Sequence, residues 1–129
     1  MLVPAGFLVV LVLASIAVDM ALVQLRQRQA VDLAAAAAND AATATAEDVR
    51  RHGAGDLRVS QPAAEDVVDR IVAADELAPL VVGAPVVTVD GNRIEVELAV
   101  RADYLFAAVV PGAPDGATVR AHASAAAVP

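Results

Sequence analysis

The side chains that could do chemistry are few and scattered. With no cysteine, the chain has no thiol nucleophile, no thiolate metal ligand and no disulfide, so cysteine usage says nothing about compartment. Its two histidines, His52 and His122, stand far apart. His52 is expected to have no second His, Cys or carboxylate at ligand spacing and reads as a helix-end residue, while His122 falls on the polar side of an alternating segment and reads as solvent-exposed. Glu95 and Glu97 share one face of a strand-like stretch, the arrangement a pair of acid and base carboxylates would need. Arg93 and Arg101 are interleaved with them, which fits a solvated, charge-balanced face better. No serine, histidine and acid fall at suggestive spacing, there is no H-x-x-x-H, and the glycines form no phosphate-binding loop. The residues point to no catalytic, cofactor or metal site, and the expectation is a non-enzyme.

One ionisable residue is conspicuous by its surroundings. Residues 2–18 carry no charge and are built from Leu, Val, Ile, Phe and Ala, interrupted only by Pro4, Gly6 and Ser15. Asp19 follows, and residues 20–23 are apolar again. About 20 apolar residues at ~1.5 Å each cross a ~30 Å hydrocarbon core, so residues 1–23 read as a transmembrane helix. A carboxylate there has two readings. It marks the membrane interface, with residues 20–23 at headgroup level, or it pairs with a partner helix inside the membrane. The segment has no basic n-region and is too long for a cleaved signal, which favours a signal anchor.

The helical pattern continues past the membrane. Residues 24–52 are dominated by Ala, Gln, Leu and Arg, all good helix formers, with no Gly or Pro before Gly53. They read as an Ala-rich stalk. Its small-residue surface either stands solvated or lets a neighbouring helix approach closely, with Asp19, Ala34, Ala35, Ala38 and Ala42 as the helix-packing candidates. Residues 53–56 contain two glycines and read as a hinge.

Residues 57–129 read as a small α+β head. A short strand is expected at 57–59. A helix follows at 62–78, with Pro62 in its first turn, Glu65 and Asp66 complementing its dipole, and an apolar face from Val67, Val68, Ile71, Val72 and Leu77. A hairpin turns at Asp90-Gly91, between Val87 and Val89 on one side and Ile94, Val96, Leu98 and Val100 on the other. The buried side of that sheet needs a cover, and the 62–78 helix is the expected one. Tyr104, Leu105 and Phe106 open an apolar connection, in which Leu105 and Phe106 either plug the end of the core or form a binding patch. A loop of turn formers at 111–116 and a last strand at 118–125 complete the head. The fold class is therefore α+β: one long transmembrane and stalk helix, then an antiparallel sheet of three to four strands packed by one helix.

The net charge of −7, with no basic cluster, argues against nucleic acid as a partner. No small-molecule substrate is evident either. The 58% hydrophobic content is accounted for by the membrane segment and the alanines.

The run Ala17-Val18-Asp19, followed by Arg28-Gln29-Ala30-Val31-Asp32-Leu33 and the alanines 34–38, resembles the TadE/TadG-like pilus-assembly proteins of bacterial tight-adherence (Flp) systems. The stretch 36–44 (AAANDAATA), the Val89-Asp90-Gly91 turn and the Pro111-Gly112-Ala113-Pro114 loop resemble the actinobacterial type. The resemblance implies a minor pseudopilin-like structural or assembly subunit of such a pilus or a related secretion system. It would be single-pass in the cell membrane with its head extracytoplasmic, among lipid and other pilin-like or Tad assembly proteins. The alternative is a membrane-anchored extracytoplasmic binding module with no pilus role. Two features oppose parts of this. Arg26 and Arg28 follow the span, and the positive-inside rule would put that side in the cytoplasm. Members processed by prepilin peptidase carry Glu five residues after the Gly, whereas Leu11 stands there after Gly6.

Overall fold

The computed structural model describes residues 2–53 and 58–128. Helix α1, Leu2–His52, is continuous for 51 residues, or about 76 Å at ~1.5 Å per residue. Pro4 lies in the first turn, where its missing N–H is not needed, and neither Gly nor Pro follows Gly6 until Gly53. Inside the apolar segment the Ser15 hydroxyl donates to the Leu11 carbonyl at 2.8 Å, which satisfies it without water. Termination is by a left-handed glycine: Gly53 has φ +64° and donates its N–H to the Val49 carbonyl at 3.0 Å. Arg50, Arg51 and His52 occupy the last turn, where positive charge complements the helix dipole. The rest of the expected hinge, 54–56, and Leu57 lie outside the described residues.

The expected strand at 57–59 is not formed at Arg58 and Val59, which lie in no strand. Val59 instead donates its N–H to the Gly91 carbonyl at 3.1 Å, tying this segment to the hairpin. Helix α2, Gln61–Ala74, buries Ala64, Val68 and Val72, spaced by four. Glu65 and Asp66 fall in its second turn rather than its first. There they accept from Gln61 at 2.7 Å and pair with Arg70 at 3.2 Å. The helix ends at Ala74, four residues short of expectation. Asp75 captures the Leu77 N–H with its own carboxylate at 2.9 Å, an Asx turn that competes with helix propagation, and a 3₁₀ turn at Ala78–Leu80 follows.

The sheet has three antiparallel strands in sequence order, β1 (Val86–Asp90), β2 (Arg93–Asp103) and β3 (Gly116–Ala126). Asp90 pairs with Arg93, so the two central turn residues are Gly91 and Asn92 rather than Asp90 and Gly91. Only the first of them has positive φ, +60°, the requirement of a type II′ turn that a glycine meets without strain. Along β2 the alternation is complete: Ile94, Val96, Leu98, Val100 and Ala102 are buried. Arg120 meets Glu97 at 3.3 Å and His122 lies 3.7 Å from Glu95 on the wet face.

The main cover of the dry face is α1, not α2. Ala30, Leu33, Ala34, Ala37, Ala38, Ala41 and Ala42 join Val68, Ile94, Val96, Leu98 and Val100 in one hydrophobic core. Alanine has no side chain beyond Cβ, so the α1 backbone comes close to the strands, leaving α2 to pack beside it against α1 and β1. The molecule is thus a single α+β body that shares one helix between an exposed apolar segment and its head.

Candidate functional site

The site is the junction at which the apolar half of α1 meets the head. From Leu2 to Val18 the side chains of α1 are exposed or, at Ser15, half-buried. By length and composition, helix α1 is long and apolar enough at this end to cross a membrane. From Ala30 onward one face is buried under the sheet. Asp19 lies between the two regimes, only 7% exposed although it is charged.

Three backbone donors account for its burial. Leu105 and Phe106 donate their N–H groups to Asp19 Oδ1 at 2.8 and 3.1 Å, and Ala107 donates to Oδ2 at 3.0 Å. These N–H groups belong to the start of the 3₁₀ turn Ala107–Val109. They are the unpaired donors that every helical turn leaves at its beginning. Asp19 supplies the cap from across the fold, with charge-assisted bonds. Among the described residues no buried side-chain nitrogen or oxygen lacks a partner.

The capped turn belongs to the connection between β2 and β3. The Tyr104 N–H donates to the Asp115 carbonyl at 2.8 Å, closing the neck of the loop. Gly116 pairs with Asp103 just inside the neck. A second turn, with Pro111 followed by Gly112 at φ +81° and an Ala113 N–H to Val110 carbonyl bond of 3.1 Å, reverses the tip. Residues 104–114 carry no charge. Leu105 is 60% and Val109 78% exposed, and Phe106 and Val110 are exposed as well. Leu105 and Phe106 therefore do not plug the core; holding their N–H groups at Asp19 turns their side chains outward. Between loop and helix lies an open cleft of ≈ 330 Å³, lined by Ile16, Met20, Val23, Gln24, Tyr104 and Ala107 beside Asp19. Farther along, Gln27 donates to the Arg120 carbonyl at 2.7 Å and fastens α1 to β3.

The other packing candidates separate by face. Ala34, Ala38 and Ala42 lie under the chain's own sheet, and Ala35 is half-buried at the edge of that face. Sequence reasoning missed that the alanine stripe has an intrachain partner and that Asp19 reaches a loop 86 residues away. A signal for the latter was present in the uncharged 104–114 segment, whose apolar character matches that of the span. His52 has a partner also missed from sequence, since its Nδ1 lies 3.0 Å from Asp48 Oδ1 one turn earlier. Among the described residues no group of three or more His, Asp or Glu could hold a metal ion. The junction is built for holding two apolar elements side by side. Comparison with protein-family models, with curated proteins and with solved structures finds no match to this chain.

Proposed function

We propose that the protein is a structural or assembly subunit anchored in the cell membrane by the first half of α1, minor pseudopilin-like in design. It would serve a TadE/TadG-like tight-adherence pilus or a related secretion machine, with its head extracytoplasmic. The observation that supports this reading is the division of labour within one uninterrupted helix. Its first half presents apolar side chains on every side, free to pack laterally in a membrane, and its second half is the spine of a small sheet-covered head. A helix apolar all round is at home in lipid or among other apolar helices. Scattered ion pairs on the outer face of the sheet are of the kind that contribute little and offer no reaction centre.

Photocrosslinking in the native membrane tests it, with a photoreactive residue replacing exposed Leu11 in the span or exposed Ala36 on the outer face of α1. Adducts from Leu11 to a second pilin-like apolar helix or to a membrane assembly platform support the reading. If Leu11 yields lipid adducts alone and Ala36 yields none to such proteins, the subunit reading falls.

A further inference from the structure

The loop clasped by Asp19 has chemistry that the head does not use. Of the three aromatic residues in the chain, Phe7 is in the apolar span, and Tyr104 and Phe106 are both in this loop. None contributes to the head core. Leu105, Phe106, Val109 and Val110 are exposed in one uncharged stretch, a contiguous apolar patch of the kind that marks a binding surface. Its height along α1 is set by the three hydrogen bonds to Asp19 and by the cleft it shares with Ile16, Met20 and Val23. Asp19 is the first charged residue of α1 after the uncharged apolar residues 2–18, and charges on a spanning helix gather where it leaves the hydrocarbon. The loop therefore stands where the hydrocarbon gives way to headgroups, continuous with the exposed apolar surface of the span. The first charges on α1 beyond it, Arg26 and Arg28, come about two to two and a half turns after Asp19.

We propose that residues 105–110 form a second membrane contact, dipping into the acyl–headgroup boundary of the leaflet nearest the head, with lipid as the occupant of the patch. Tyr104 and Phe106 take the place of an interfacial aromatic belt. The cleft between loop and helix is open to the same lipid and admits an acyl chain. Asp19 serves the contact by satisfying the backbone donors that a loop at this depth could not leave bare. The head is thereby held against the bilayer at two points, the helix and the loop.

The chain has no tryptophan, so a single introduced one reports cleanly. The full chain is placed at one copy per phosphatidylcholine nanodisc, with and without brominated acyl chains, as Phe106→Trp, as Val10→Trp in the span, and as Val128→Trp at the far end of β3. The expected result is blue-shifted emission for Phe106→Trp, with bromine quenching several-fold stronger than for Val128→Trp and weak quenching by aqueous acrylamide. Quenching of Val10→Trp but not of Phe106→Trp overturns the loop contact while leaving the anchor standing. Quenching of neither overturns both. Blue-shifted emission of Phe106→Trp without bromine quenching assigns the patch to protein rather than lipid, and also overturns the proposal. In the Phe106→Trp background, Val109→Asp is expected to weaken the quenching, and undiminished quenching counts against insertion of the loop.

Discussion

Ala38 lies at 0% exposure under the sheet, and replacing it with leucine asks whether the alanine stripe belongs to this chain or to a partner. Both residues favour helix, so the backbone of α1 is indifferent to the change. The three added carbons must enter the close space between α1 and the buried side chains of β2 and β3, which already form one packed core with it. Overpacking of this kind costs about 2 kcal/mol. For a folded unit of this size each kcal/mol shifts the midpoint by about 4–8 °C, so Ala38→Leu lowers Tm by roughly 8–16 °C. Ala36 is the control, two residues earlier and exposed. Surface substitutions usually stay within about 0.5 kcal/mol, so Ala36→Leu moves Tm by at most about 4 °C. The assay is thermal unfolding of the full chain in detergent micelles followed by circular dichroism. There the span stays helical and the change in signal comes from the head. If Ala38→Leu melts together with Ala36→Leu, the stripe is not packed under the chain's own sheet and the core described above is wrong.

Removing the Asp19 carboxylate frees three N–H groups at once. Asp19→Ala is expected to speed hydrogen exchange at Leu105, Phe106 and Ala107 by on the order of tenfold or more. Asp19→Asn should fall between, because its single carbonyl oxygen cannot serve donors on both sides; unchanged protection of peptide 104–115 in either variant refutes the clasp. At Gly116 an added Cβ would fall on the Ala102 carbonyl oxygen and 3.0 Å from Asp103 Cα, both backbone. Gly116→Ala should therefore part the β2 and β3 ends and cost about 1–3 kcal/mol, measured as a lower unfolding midpoint in denaturant; a midpoint equal to the parent's counts against the close approach.

The sequence announced the elements whose periods are long and clean. Ile94, Val96, Leu98 and Val100 alternate without interruption, and β2 formed around them with its neighbours in antiparallel register. The helical run beginning at Leu2 likewise contained no breaker to stop it before Gly53. Misreadings came where a side chain competes locally with the backbone. Asp75 ended α2 early by taking the Leu77 N–H, and Gly91 moved to the first central position of its turn. The tertiary partners of α1 were harder to see. A stripe of alanines gives the same pattern whether it faces water, a second helix or a sheet, because so little hydrophobic contrast distinguishes its faces. Asp19 was legible as the charge that ends the apolar run 2–18. Its partners were backbone N–H groups, which carry no residue identity for a sequence to display.

On the proposed anchoring, the sharing of α1 between membrane span and head also makes the protein a lever. Its fulcrum lies near Asp19, where helix and loop are fastened together. About 50 Å of helix extends from there to its end at His52. A change of 10° in the tilt of the span within the bilayer would sweep that end through about 9 Å, since no joint interrupts the ~1.5 Å-per-residue rod. Bilayer thickness, which sets such tilts, is thereby converted into the pitch of the sheet's polar face above the membrane.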